Sequence, residues 1–277
     1  MAKELAMSNT LFSVIIVSFN AGDSIRKTIL STLSQTYKNF EIIVKDGLSG
    51  DDTIKNIPDD SRIKIIENKD HGIYDAMNQA VTYASGTYAI FMNCGDLFFN
   101  NKVLETVDNE ISGIKEDGSS PDIIYGNFER DGIIMNQPAH MTDYVLYRST
   151  LNHQSVFFKL SNLQERFRYN TRFRMMADYE LLVRLWKNGR QFLYINIPVC
   201  KYEGNGVSES EEGIRIRKAE REAIRCSYFS RKERLDYSFK YALTLPSLRK
   251  LISRHKENKI VGKLYYRLRN VYYRNSK

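Results

Sequence analysis

The feature that most constrains this chain is a recurring order in its first hundred residues: a short apolar run, a polar turn, then a segment with helical spacing. Residues 12–17 are almost continuously apolar and strand-sized, which fits a strand buried on both faces of a parallel sheet. Ile25, Ile29 and Leu33 then recur every four residues, the pattern of a helix with one apolar face. Residues 40–44 and 62–66 predict a second and a third strand. Ile73, Met77, Ala80, Val81 and Ala84 predict another amphipathic helix, and residues 88–92 a fourth strand. Strands separated by helix-length segments build βαβ units and a mostly parallel sheet. In such sheets ligands bind beyond the carboxyl ends of the strands, so the residues just after each strand are the ones to read for chemistry.

Further along, turn formers over 111–121 predict a surface loop, 123–125 and 155–158 further strands, 177–188 a helix and 192–197 another strand. Composition then changes. Residues 213–277 carry 19 Lys and Arg against 5 Asp and Glu, while residues 1–212 carry 22 against 28. A mildly acidic body followed by a strongly basic stretch predicts basic helices, punctuated at Pro246, that seek an anionic surface. Three cysteines in no C-x-x-C pair fit a reducing compartment without a disulfide framework or structural zinc. No signal-peptide core and no membrane-length apolar run is apparent, so a cytoplasmic chain is expected.

Acidic residues recur at the predicted strand ends. Asp46 follows the second, Asp70 lies four residues after the third, and Asp96 follows the fourth. Taken singly, each is an ordinary turn or cap residue. Grouped at one rim, they repel unless a divalent cation or donors from a ligand's ribose and base neutralise them. On the helix at 177–188, Asp178 shares the apolar face with Leu182 and Leu185, whereas Glu180 projects about 200° away. An inward carboxylate at a helix start either takes a proton from a substrate hydroxyl or stabilises the helix dipole.

These pieces together resemble the family 2 glycosyltransferases, over roughly residues 12–207. The resemblance is carried by Ser13-Val14-Ile15-Ile16-Val17-Ser18-Phe19-Asn20, Ser34-Gln35-Thr36-Tyr37, Asp46-Gly47-Leu48-Ser49, Phe91-Met92-Asn93-Cys94-Gly95-Asp96 and Ala177-Asp178-Tyr179-Glu180-Leu181. The run from Asp70 to Asn78 is similar to a subgroup acting in bacterial surface-polysaccharide assembly. The resemblance implies a GT-A fold, Rossmann-like with flanking helices, over residues 1–212, with a nucleotide-binding half at about 11–100 and an acceptor half at 101–212. Residues 213–277 follow as a basic helical extension. It implies an inverting transfer from a nucleotide-diphosphate sugar, UDP foremost, to a saccharide or polyprenyl-linked acceptor.

By the same resemblance, Asp178 is the base. Val17, Phe19, Asp46, Gly72, Asn78, Gly95 and Asp96 surround the donor, Asp46 as a hydrogen-bond acceptor for its nucleobase or ribose, and Asp96 ligates Mg²⁺ or Mn²⁺. Gly95 stands where many relatives carry a second acid, so this turn offers one carboxylate. His153 either meets acceptor or phosphates or is a structural hydrogen-bonder. Arg172 and Arg174 either face the leaving diphosphate or are surface charges. In the tail, Tyr265, Tyr266, Tyr272 and Tyr273 alternate with Arg267, Arg269 and Arg274, a composition suited to an anionic membrane surface. Packing on the body or on a second subunit is the alternative. Nucleic-acid binding has no supporting motif. A sugar-nucleotide nucleotidyltransferase and a membrane-bound scaffold with a degenerate nucleotide fold are the rival readings. The first lacks its glycine-rich signature at residues 17–27.

Overall fold

The computed structural model describes residues 11–114, 120–202 and 210–243. Its centre is a nine-stranded sheet. The strands are β1 (Phe12–Ser18), β2 (Phe40–Asp46), β3 (Ile63–Glu67), β4 (Tyr88–Asn93), β5 (Leu97–Phe98), β6 (Ile123–Arg130), β7 (Ile133–Met135), β8 (Val156–Lys159) and β9 (Phe192–Tyr202). They lie in the order β3-β2-β1-β4-β8-β6-β9-β5, with β7 beside β6. Strands β1 to β4 are parallel throughout. The sheet turns antiparallel where β8 pairs β4 and β6, and parallel again between β6 and β9.

Alternation along the strands divides the core. Ile15, Ile43 and Phe91 face one side of the sheet; Val14, Ile16, Ile42, Val44, Ile90 and Met92 face the other. Helices α1 (Ser24–Leu33) and α3 (Val103–Ile114) cover the second face, through Ile25, Ile29, Leu104 and Val107. Helices α2 (Ile73–Val81), α5 (Leu160–Glu165) and α6 (Ala177–Lys187) cover the first, and α4 (Asp143–Arg148) adds Leu146 and Tyr147. Burial on both faces is why β1, β2 and β4 read as unbroken apolar runs rather than alternating ones.

Three local expectations change. The predicted loop at 111–121 begins as the last turn of α3, because Val103, Leu104, Val107 and Ile111 form one buried helical stripe; residues 115–119 lie outside the described ones. Strands β6 and β9 run several residues longer than their apolar centres, because they pair with each other as far as Arg130 and Tyr202. Glu180 does not project into solvent: it is 1% exposed. Helix α7 (Glu211–Tyr228) covers that face, Arg184 donates to Glu180 at 3.0 Å, and the Tyr228 hydroxyl donates to it as well. The basic region therefore begins as structure packed on the body, with Ile224 and Phe229 inside the same core cluster as α6. Helix α8 (Arg231–Leu243) follows, its Tyr237 ring against Tyr144 and Tyr147. The aromatic and basic residues at 264–274 lie outside the described residues, as does Pro246.

Candidate active site

The strand order reverses between β1 and β4, and the site forms at the carboxyl ends beside that reversal. At the end of β2, Asp46 is fully buried. Its Oδ1 accepts from the Ser49 amide at 2.6 Å, and its Oδ2 from the Ser18 and Ser49 hydroxyls, both at 2.7 Å. Asp46 thus binds the loops after β1 and β2 to each other, and, buried with both oxygens occupied, it is not placed to hydrogen-bond a nucleobase or ribose directly as the resemblance implied. The two loops are laced further. Ser49 accepts from the Asn20 amide, Thr53 from the Ala21 amide, and the Asn20 side chain from the Gly50 amide. The Thr53 hydroxyl donates to Asp51 and holds that carboxyl below its usual range. What this rim leaves in the open is apolar: Phe19 is 66% and Leu48 55% exposed.

Lys45, buried beside Asp46, fixes the next turn. Its ammonium donates to the Asp46 carbonyl at 3.0 Å, the Asn68 carbonyl at 2.7 Å and the Asp70 carboxylate at 2.6 Å, which uses all three of its protons. Asp70 in turn accepts from the Gly72 amide at 3.1 Å. Gly72 starts α2 with φ +120, a conformation that side-chain-bearing residues rarely adopt. The helix launched there carries Tyr74 inward, and the Tyr74 hydroxyl donates to Asp178 Oδ1 at 3.1 Å. Burial, then the Asp178 charge, push the Tyr74 phenol well above its usual value. The Tyr74 ring stacks on Tyr169 at 5.4 Å, and Asn78 clamps the Tyr169 backbone through both ends of its amide. Asn78 is therefore committed to the wall of the site.

The turn after β4 supplies the remaining groups. Gly95 has φ +100 and donates its amide to Thr28, so a residue with a β-carbon would be strained there. Asp96 is therefore the one acid this turn offers. Asp96 is nearly buried and accepts from Gln154 at 2.8 Å. His153, in a short 3-10 turn (His153–Ser155) rather than opening strand β8, stands between Asn93 and Asp178. Its Nε2 is 3.4 Å from the Asn93 amide nitrogen and its Nδ1 3.8 Å from Asp178 Oδ2. Burial lowers its pKa, with Asp178 opposing. Cys94 ties this turn to the first loop: its thiol, 3.5 Å from the Val17 carbonyl, is pushed up to about 12 by burial and then by the charges of Asp96 and Asp46.

Asp46, Asp70, Gly72, Asp96, His153 and Asp178 thus converge on one rim through named contacts. Arg174 enters through its backbone, donating its amide to Glu220 at 2.7 Å, with an exposed side chain. The sequence reading left Tyr74, Gln154 and Glu220 without roles. Tyr74 was legible as the inward residue of a helix begun by Gly72, whereas Gln154 and Glu220 carry no local signal. Tyr74→Phe keeps the stack on Tyr169 and removes only the hydroxyl. Its expected effect is about a tenfold fall in kcat with unchanged donor KM, from loss of one hydrogen bond to a charged group; steady-state kinetics check it.

Could a metal be held here? Among the described residues no three His, Cys, Asp or Glu side chains group to cage a cation. Yet the carbonyl oxygens of the Asn93 and Gln154 side chains are buried and lack a hydrogen-bond partner among the described residues. They adjoin Asp96 along the chain and by contact. One carboxylate with neutral oxygens suits a hard divalent cation that completes its shell with a substrate's phosphates.

A parallel α/β half with a buried acid under its first loops, an acid in the turn after β4, and a third carboxylate held between Tyr74 and His153 is the arrangement expected of a GT-A nucleotide-sugar enzyme. The family model described as Glycosyl transferase family 2 matches residues 13–182, and the chain belongs to that family. It is similar to a PGL/p-HBAD biosynthesis glycosyltransferase of Mycobacterium bovis, at 29% identity over 218 residues covering 74% of this chain and 81% of that one. A UDP-Glc:alpha-D-GlcNAc-diphosphoundecaprenol beta-1,3-glucosyltransferase of Escherichia coli, WfgD, is 36% identical over 126 residues, 44% of this chain and 47% of that one. Among solved structures, S. aureus TarS 1-349 in complex with UDP-GlcNAc shares the fold at TM-score 0.58 and 16% identity, covering 95% of this chain and 88% of that one. The mannosyltransferase PcManGT of Pyrobaculum calidifontis, in complex with GDP-Man and Mn²⁺, gives 0.56 and 13%, covering 94% and 86%. The family assignment decides against the nucleotidyltransferase and scaffold readings.

Proposed function

We propose that this glycosyltransferase moves a hexosyl group from a UDP-sugar, with inversion, onto a lipid-linked saccharide in the assembly of a bacterial surface polysaccharide. The observation that carries the reading is the chain of contacts from Asp96 through Gln154 and His153 to Asp178, beside the laced loops of β1 and β2. WfgD names a UDP-sugar donor and a diphosphoundecaprenol acceptor, and it supports both substrates.

In this reading Phe19 and the backbone at Val17 receive the nucleobase. Asp46 holds their loops in shape, with Gly72 and Gly95 setting the turns on either side. The donor's diphosphate lies toward Asp96. Asp178, held by the Tyr74 hydroxyl and next to His153, takes the acceptor's proton as its oxygen attacks the anomeric carbon from the face opposite the leaving UDP. The C–O bond to UDP breaks as the new one forms, so no covalent enzyme intermediate is involved. Asp96, with the Asn93 and Gln154 oxygens, would hold Mg²⁺ or Mn²⁺, which would supply charge stabilisation for the leaving phosphates. No helix among the described residues is long and apolar enough to cross a membrane. The basic extension and a lipid-linked acceptor support peripheral attachment at an anionic inner membrane face.

UDP release from a panel of UDP-sugars, with and without Mn²⁺ and a GlcNAc-diphospho-lipid acceptor, tests the reading. Acceptor-stimulated, Mn²⁺-dependent release is expected, and its absence across the panel rejects the proposal. In Asp96→Asn, Mn²⁺ should no longer strengthen UDP binding by calorimetry. A variant that still responds to Mn²⁺ as the wild type does would remove Asp96 from the metal site.

A further inference from the structure

Helix α7 lies outside the segment that the family model matches, yet it builds a wall of the site. It runs alongside α6 in the same direction, its contacts advancing from the residues before α6 toward Glu180 as its own numbers rise. Tyr228 reaches Glu180, the Arg221 guanidinium sits 5.1 Å above the Tyr179 ring, and Glu220 accepts the backbone amides of Arg174 at 2.7 Å and Met175 at 2.9 Å. This register carries the preceding turn of α7, with Arg217, past the start of α6 on the side of Asp178. Arg217, Arg221 and Arg225 follow at spacing four and share one face.

The three arginines are committed differently. Arg225 pairs with Glu222 and donates to the Tyr147 carbonyl at 2.6 Å. Arg221 has the Arg148 carbonyl at 3.3 Å and an aromatic face, but no carboxylate within ion-pair distance among the described residues. The adjacent acid, Glu220, is occupied by the two backbone amides. Arg217 is half-buried and makes no hydrogen bond or ion pair among the described residues. Burial lowers the Arg221 pKa, with the charges of Arg225 and Arg217 adding to the effect and Tyr179 and Asp178 opposing it. Two crowded guanidiniums with no ion pair among the described residues, beside a proton acceptor, match an anionic ligand that arrives with the substrate.

We propose that Arg217 and Arg221 form a subsite for the diphosphate of the acceptor. The inference rests on the lipid-linked acceptor proposed above and adds the residues that recognise its charge. The donor's diphosphate is the other source of the same chemistry, but its place is the β1–β4 rim near Asp96. Helix α7 approaches instead from the side of Asp178, which the acceptor hydroxyl must face. A guanidinium pair there reads two adjacent phosphates by paired N–H donors.

Calorimetry of geranyl diphosphate with the full-length protein, under saturating UDP, tests the subsite without any need for turnover. Arg217→Gln should weaken geranyl diphosphate roughly tenfold, the loss of hydrogen bonds to a charged group. UDP affinity and the thermal midpoint should stay at wild-type values, since Arg217 has no described contact to lose. Arg217→Gln/Arg221→Gln should weaken it further. Unchanged affinity in both variants, or no binding by the wild type, would overturn the proposal. So would an equal loss of UDP affinity, which would assign the arginines to the leaving group. A loss confined to phosphatidylglycerol vesicles would assign them to the membrane surface and overturn it too. Absence of sugar transfer with geranyl diphosphate binding intact would count against the proposed reaction and not against this subsite.

Discussion

Asp178→Asn should lower kcat by about a hundredfold to ten-thousandfold, the range expected when a general base is removed, with UDP affinity within twofold of wild type. The substitution keeps the shape of the side chain and an oxygen able to accept from the Tyr74 hydroxyl, so the packing of α6 on α2 is preserved. It removes the only property the proposed reaction requires of this position, the capacity to take a proton. Donor binding should survive because, among the described residues, Asp178 makes no hydrogen bond to the laced loops that hold Asp46; its carboxylate meets Tyr74 and His153 instead. Kinetics with saturating donor, beside calorimetry of UDP, separate the two effects. Turnover within threefold of wild type would show that another group is the base. Glu180, the other acid on this helix, is a poor substitute: it is buried between Arg184 and Tyr228, away from His153.

That contrast between Asp178 and Glu180 shows what was legible in the sequence and what was not. Helical periodicity located Asp178 on an inward face, and the structure places its carboxylate between Tyr74 and His153. The same periodicity set Glu180 about 200° away, off the apolar face, and could not show that it is buried there, because a helical wheel does not include a second helix arriving from thirty residues later. Strand periodicity was readable in β1, β2 and β4, where both faces are buried and the apolar run is unbroken. It understated β6 and β9, whose outer halves are fixed by pairing with each other. Asp46, Asp70 and Asp96 were visible as acids at strand ends. That Asp46 is wholly occupied by Ser18 and Ser49, and that Lys45 locks Asp70, depends on loops folding back across about thirty residues. The antiparallel insertion of β8 between β4 and β6 is likewise a topological fact without a local signature.

A chain ended at residue 210 should fail to accumulate as folded protein, whereas one ended at residue 243 should fold. The basic region looks separable by charge alone, and separability would predict that its removal merely frees a soluble body. The contacts argue otherwise. Ile224 and Phe229 are fully or almost fully buried among α6 and α4 residues, and uncovering two such sites forfeits about 1.5–3 kcal/mol each. The Tyr147 and Arg148 carbonyls lose charged donors, and hydrogen bonds of that kind contribute about 1.5–3 kcal/mol each. Glu180 loses the Tyr228 hydroxyl, and the amides of Arg174 and Met175 lose Glu220 just ahead of the proposed base. Together these losses approach the roughly 5–15 kcal/mol by which a typical domain is stable. Ending at residue 243 keeps every one of those contacts and removes ten Lys and Arg against one acid. Soluble yield and a cooperative thermal transition decide the first half of the prediction. Sedimentation with phosphatidylglycerol vesicles decides the second, where the shorter chain should bind more weakly than the full one. A folded protein ending at residue 210 would make α7 dispensable, and with it the argument that this helix shapes the acceptor side of the site.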